Sequence, residues 1–421
     1  MTRLRGRGAL RGVLFATVGF SAVCGGMAQA EEMPSREEMW QMIQAQQAQI
    51  DALKQQMTQT DTKVEATGAR VDEIAVSGAG AGGSGGGGWW DRTQIGGYGE
   101  VHYNGGDADE VDAHRFVLFV GHDFNDDIRL FAELELEHGL VEDTADGSSG
   151  GEIELEQAYL EFDVAEAHSL TAGVQLIPVG ILNETHEPPT FYGVERNPVE
   201  RNIIPTTWWE AAAGARGQLG GGFSYDVMYH SGLEVPTTGG NAFKVRNGRG
   251  KVAQATAKDG AVTGRLTWTG MPGLELGVTG QYQSDVTQGA MATSATLFEA
   301  HVDASMAAGP GSVGFRALAA RWDLDSAAAK AVNRDEQYGW YVEPSYRMPI
   351  FYGDLGVFAR YSMWDNEAGG GPDSAWSEID VGLNYWPHPD VVLKFDYQIE
   401  DRPAGGGVED DRANLGVGFQ F

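Results

Sequence analysis

Cysteine is nearly missing from this 421-residue chain: there is one, Cys24, within the first thirty residues. A disulfide needs a pair, and thiolate catalysis or a Cys metal site needs a retained thiol, so a chain that sheds its start excludes all three. Basic residues are scarce as well, 29 Lys and Arg against 60 Asp and Glu for a net charge of −31. That excludes nucleic acid, whose phosphates call for a cationic face. Long apolar runs are the third absence. Beyond residue 30 nothing approaches the roughly eighteen apolar residues of a spanning helix. If the chain is exported, this leaves a soluble β protein or a membrane barrel.

Export is read from the start of the chain. Arg3, Arg5, Arg7 and Arg11 precede an apolar run from Val13 to Val23, and a small-residue ending Ala28-Gln29-Ala30 follows. This is the pattern of a secretory signal over residues 1–30, with the mature chain beginning at Glu31. Lipid attachment at Cys24 is the alternative, opposed by the bulky Val23 before it. All 60 acidic residues and 25 of the 29 basic ones lie beyond Ala30, so the exported chain would carry a charge of −35, 25 against 60. Such a charge suits either a solvated surface adapted to high salt or a cation-attracting pore.

Residues 31–76 read as a periplasmic coiled-coil segment. Ile43, Ile50, Met57, Val64 and Val71 recur at every seventh position, with Met39, Leu53 and Ile74 three residues after a heptad mate. Polar Gln46, Thr60 and Thr67 weaken the seam, so a lone amphipathic helix is the alternative. A helix of this length would reach roughly 60 Å. Residues 77–88, SGAGAGGSGGGG, form a Gly-rich linker with no side chains to bury.

From residue 89 to 421 the period changes from seven to two. Val391, Leu393, Phe395, Tyr397 and Ile399 alternate with Lys394, Asp396, Gln398 and Glu400, giving one greasy and one wet face. Sixteen candidate strands follow, near 93–104, 113–125, 127–139, 152–164, 168–180, 207–218, 222–232, 261–270, 273–284, 294–306, 311–322, 337–348, 353–364, 375–386, 390–400 and 412–421. Tight connections such as Asn125-Asp126-Asp127, Gly220-Gly221-Gly222 and Met271-Pro272-Gly273 alternate with longer ones at 105–112, 140–151, 181–206, 233–260, 285–293, 323–336, 365–374 and 401–411. A soluble sandwich has no reason to keep that alternation, whereas a membrane barrel with short periplasmic turns and long outer loops does. The expected fold is a 16-stranded antiparallel transmembrane β-barrel preceded by the N-terminal coiled-coil helix. Trp208-Trp209, Trp340-Tyr341, Phe351-Tyr352 and Tyr385-Trp386 sit near strand ends and are expected to form interface girdles.

The wet face carries charge of both signs. Glu133, Glu135 and Glu137 form one column, joined by Glu154 and Glu156, after which the phase changes near Gln157 as if at a bulge. Basic residues stand mid-strand at Arg115, Arg129, Arg216, Arg265, Arg316, Arg347, Arg360 and Lys394. Facing them to lipid would cost about 2–4 kcal/mol each at the midplane, so most are expected to face the lumen. Opposed rings of charge would then set up a transverse field.

The segment Pro178–Glu210, the third long connection, is stiffened by its prolines and carries Glu184, His186, Glu187, Glu195, Arg196, Glu200 and Arg201. A stiff, charged loop can fold into the barrel and narrow it; a surface lid or a trimer contact is the alternative. Arg196 and Arg201 each follow a Glu directly, so no isolated anion trap is visible. An enzymatic reading finds His102, His114, His122 and His138 but no nucleophile motif beside them. A tether or adhesin is favoured only by the coiled coil.

The period-two barrel, the stretch HEPPTFYGVERNPVERNIIPTTWWE and the terminal Phe421 make residues 90–421 resemble outer-membrane porins of the phosphate-selective porin O and P type. The resemblance implies a sixteen-stranded trimer with an inward third loop and basic lumen residues selecting anions. It also implies that Phe421 is read by the barrel-assembly machinery. Acidic residues outnumber basic ones more than two to one after the signal, which departs from that pattern. The sequence therefore leads to a cofactor-free pore in outer-membrane lipid for small hydrophilic solutes or ions. It would be general or weakly cation-preferring, with an anion or phosphate pore as the alternative.

Overall fold

The computed structural model describes residues 89–106, 109–139, 141, 150–403 and 409–421. The signal, coiled-coil and linker segments read from the sequence lie outside the described residues. A short 3-10 turn at Trp89–Arg92 leads into sixteen strands. These are β1 (Thr93–Asn104), β2 (Glu110–Asp123), β3 (Ile128–Glu137), β4 (Ile153–Ala165), β5 (His168–Leu176), β6 (Trp209–Gly220), β7 (Phe223–His230) and β8 (Ala261–Met271). The second half runs β9 (Leu274–Gln283), β10 (Ser294–Ala308), β11 (Gly311–Asp325), β12 (Glu336–Pro349), β13 (Asp354–Asp365), β14 (Trp376–His388), β15 (Val391–Asp401) and β16 (Arg412–Gln420). Each pairs antiparallel with its sequence neighbours, and β1 pairs with β16, from Tyr98 against Gln420 to Asn104 against Asn414. Closure is completed where Gly97 and Phe421 exchange backbone hydrogen bonds of 3.0 and 2.9 Å. A closed barrel leaves no unpaired edge, the condition for crossing a bilayer with strands.

Burial runs opposite to that of a soluble protein. Outward Val101, Leu134, Val278, Phe298, Val381 and Ile399 are exposed, while inward Glu100, Glu299, Asp380, Asp396 and Asn414 are buried. An apolar surface this continuous is compatible with lipid and not with water. No described helix is long and apolar enough to cross a membrane.

At β3–β4 the register shifts between Glu133 and Leu134, which face Gln157 and Leu155, leaving Glu156 as the extra residue. The expected phase change near Gln157 is this bulge, and it turns Glu156 and Gln157 inward together.

Two expectations need correction, for one physical reason. Strand β5 stops at Leu176 rather than 180, and β6 starts at Trp209 rather than 207. Residues 177–208 leave the wall to fill the lumen, taking Ile177, Val179 and Trp208 with them, each fully buried. The girdle reading fails in the same way for half its members. Phe351 and Tyr352 are exposed and Trp340 lies on the outer face, but Trp208, Trp209, Tyr341 and Trp386 are inside, 0–3% exposed. Tyr341 and Trp386 hydrogen-bond the inserted loop at Glu200 and Pro189, Trp208 is the loop's last residue, and Trp209 lies under Lys251 of the following long loop.

Candidate functional site

The third loop, 177–208, is a folded object inside the barrel. Its two legs are tied by Asn183, whose side chain donates to the carbonyls of Ile177 (2.8 Å) and Trp208 (2.9 Å) and accepts from the Trp208 amide (2.7 Å). A short helix α1 (Pro198–Asn202) starts on Pro198 with Asn197 as cap, which accepts from the Glu200 amide. The fully buried Glu200 carboxylate accepts from the amides of Ile181 (2.9 Å) and Leu182 (2.6 Å) and from the Tyr341 hydroxyl (2.9 Å). Ile203, Ile204 and Trp208 then pack on Leu297, Trp322, Tyr341 and Trp364 of the far wall. Folding an irregular backbone at membrane depth is tolerated only where protein satisfies it, and here side chains bond the loop backbone at Ile177, Ile181, Leu182, His186, Pro189, Thr190, Tyr192 and Trp208.

The eight mid-strand basic side chains all lie on the inner face. Five of them grip the loop. Arg115 pairs with Glu100 at 2.5 Å and donates to the His186 carbonyl at 2.7 Å. Arg265 pairs with Asp226 and with Glu184 of the loop. Arg316 pairs with Asp303 and donates to the Thr190 carbonyl; Arg360 pairs with Asp380 and Glu343 and donates to the Tyr192 carbonyl. The Lys394 ammonium stands 3.4 Å above the Phe191 ring. The other three stay on the wall: Arg129 and Arg216 with Glu161, and Arg347 with Asp354 and over Trp386. Contact pairs on the same or nearby strands replace the expected opposed rings, so the field is short-ranged.

The acidic column is covered rather than open. Glu133, Glu135 and Glu154 are at most 8% exposed. Loop 3 lies over the first two through His186, and Lys251 from the fourth loop pairs with Glu154 and, at 2.9 Å, Glu152. Glu137 is half-buried at the loop end beside them. Glu187 is buried at the loop's approach to the wall. Burial, reinforced by Arg196 and Arg115, holds His186 down to about 3 and so neutral.

Arg196 and Arg201 are where adjacency in sequence misleads. Glu195 turns to the wall, bound by His102 (3.1 Å) and Asn104 (3.0 Å). Burial alone would raise its carboxyl, but the bond to His102 outweighs that and holds it well below the usual range. Glu200 is spent inside the loop. The two guanidiniums are left facing Arg246 and Arg249 of the fourth loop. Arg196 donates to the Thr207 hydroxyl at 2.7 Å and Arg249 to the Thr207 carbonyl. Among the described residues none of the four forms a salt bridge, and one Arg246 nitrogen is buried without a partner. Burial, then Arg249, Arg201 and Arg196, push Arg246 down to about 9, still cationic at neutral pH.

The fourth loop, 231–260, is the element the sequence reading missed. Leu233, Val235, Phe243 and Val245 are buried in the same apolar cluster as loop 3. Their apolar spacing was the available signal, masked by flanking Gly and polar residues. At the loop end His114 is shared by two donor groups, one with His102 and Glu195 and one with Asp112 and His138, each able to hold a metal; their histidine hydrogen bonds run to carboxylates.

A profile of the phosphate-selective porin O and P family matches residues 84–421. A protein of Aquifex aeolicus with no assigned role is 31% identical over 351 residues, 73% of this chain and 75% of its own. Among solved structures, the outer membrane channel DcaP of Acinetobacter baumannii superposes with a TM-score of 0.53 at 14% identity, over 78% of this chain and 97% of that one. An anion-selective porin from Comamonas acidovorans gives 0.52 at 13%, over 78% and 99%. The trimer form of OmpT from Vibrio cholerae gives 0.51 at 11%, again over 78% and 99%. These likenesses establish the porin fold. With an inside-out barrel and a third loop folded through its lumen, the chain is an outer-membrane porin and belongs to the phosphate-selective porin O and P family.

Proposed function

We propose that this porin is an anion-preferring diffusion channel, in which loop 3 sets the width and the four guanidiniums of Arg196, Arg201, Arg246 and Arg249 set the sign. The single observation that carries this is that, among the described residues, the four lack carboxylate partners, whereas Arg115, Arg129, Arg216, Arg265, Arg316, Arg347 and Arg360 of the inner wall are each paired with a carboxylate. Unpaired charge at a narrow point concentrates counterions, whereas paired charge does not. The family name and the anion-selective relative support the same sign. Phosphate or another small oxyanion fits guanidinium donors, which present a planar fork.

The weakly cation-preferring reading is favoured by the exported charge of −35, 25 basic against 60 acidic residues, and by Glu133, Glu135, Glu154 and Glu156. Burial of those carboxylates under loops 3 and 4 argues against their meeting solute. The test is the reversal potential of single channels across a potassium chloride gradient. The sign for chloride supports the proposal, and the sign for potassium overturns it. The channel would work as a homotrimer, as supported by the trimeric relative. Its coiled coil would stand in the periplasm, and the exposed Phe421 at the turn end would present the terminal mark for assembly.

A further inference from the structure

The bulge in β4 sends Glu156 and Gln157 inward against Glu133 of β3, 1%, 4% and 2% exposed. Loop 3 places His186 over them, 3% exposed, with its main chain fixed by Arg115 and its ring edge against Tyr98. Both ring nitrogens of His186 lack a hydrogen-bond partner, and so does the Glu156 Oε2. A buried imidazole with neither nitrogen satisfied is costly unless something else occupies the space before it. The imidazole Nε2 lies 3.6 Å from Glu156 Oε2 and 3.9 Å from Glu133 Oε1, beyond a hydrogen bond to either. Two ligands of one ion have that kind of separation: at bonds of about 2.1 Å, tetrahedral donors stand about 3.4 Å apart. Gln157 donates to the other Glu133 oxygen at 2.6 Å and fixes the carboxylate, while Oε1, turned toward the histidine, accepts only a long 3.5 Å contact from the Tyr98 hydroxyl. Arg115, the basic group nearest in the wall, is already committed to Glu100.

We propose that Glu133, Glu156 and His186 bind a first-row divalent cation of the zinc type, which clamps loop 3 to the β3–β4 wall. One imidazole nitrogen and two carboxylate oxygens suit such an ion, and its two charges balance the two carboxylates. Glu135, whose carboxyl lies within reach of Glu156, stands beside the fourth position. Of the four guanidiniums Arg196 is near enough to act on His186 and Glu156, and the proposal does not depend on which sign of ion the pore prefers.

The test is zinc uptake by untagged, chelator-stripped protein in detergent, measured by equilibrium dialysis, with the barrel fold of each variant checked by heat-modifiable electrophoretic mobility. Wild type is expected to take up zinc at a site that His186→Ala and Glu156→Gln each weaken by about tenfold or more. His114→Ala, which breaks both histidine groups at the loop end, should leave that site intact. The proposal is overturned if stripped wild type binds no zinc, or if uptake disappears in His114→Ala while persisting in the other two. Should His186→Ala not fold, the near-isosteric Glu156→Gln decides alone.

Discussion

At the scale of single residues, direction matters more than neighbourhood. Glu195 and Arg196, or Glu200 and Arg201, look like self-neutralising pairs in the sequence, yet each Glu points into protein and each Arg toward loop 4. Adjacent side chains diverge, by about 100° around the axis in helix α1 where Glu200 and Arg201 stand, so sequence contiguity cannot establish an ion pair. Removing one unpaired guanidinium should therefore show in selectivity. A unit charge about 7 Å from an ion in water is worth roughly 0.6 kcal/mol, or about threefold in local concentration. Arg246→Ser is expected to lower the anion-to-cation permeability ratio by about that factor while leaving conductance in the same range. Bi-ionic reversal potentials check it, and an unchanged ratio would count against the proposed role of this cluster.

Glu200 makes the converse prediction. Its carboxylate satisfies two backbone amides and a tyrosine hydroxyl where no water competes. Glu200→Ala leaves those donors unpaired at about 1–3 kcal/mol each. The barrel, held by its own ladder, should survive while loop 3 fluctuates. Current recordings are expected to show added open-channel noise in this variant, and quiet traces like those of wild type would argue that the loop has other sufficient anchors.

At the scale of elements, the strands were legible and the lumen was not. Period two with one apolar face is a property of each strand alone, so all sixteen appear where the alternation placed them, with ends displaced by up to three residues elsewhere, as at β2 and β11, and by four where β5 gives way to loop 3. The β4 bulge was visible because a bulge breaks phase within one strand. Inward Trp208, Trp209, Tyr341 and Trp386 escaped, since an aromatic at a strand end reads the same facing lipid or loop. Loop 3 announced itself by prolines, and loop 4 lacked such a signal. The loop tip shows how closely these elements fit: a Cβ on Gly418 of β16 would lie 2.2 Å from the Cβ of Pro188. Gly418→Val cannot keep both strand register and tip position. The register is held by the β15–β16 ladder, so the tip should move, and the variant is expected to alter conductance without losing heat-stable folding. Wild-type conductance in a folded Gly418→Val protein would show that the tip does not bound the pore.

At the scale of the whole molecule, the sign of the net charge was a poor guide to the lumen. The chain carries −31 overall, yet its inner carboxylates are largely spent on Arg115, Arg129, Arg216, Arg265, Arg316 and Arg360, or covered by loops. What remains free inside is set by tertiary pairing, which composition does not encode. The central claim is that loop 3, seated inside the barrel, is the constriction. Deleting residues 190–202 removes the middle of the loop, helix α1 included, while leaving the strands whole. Single-channel conductance of this deletion, in protein confirmed to be folded, is the direct measurement. The account predicts a clear rise over wild type; an unchanged value would contradict it.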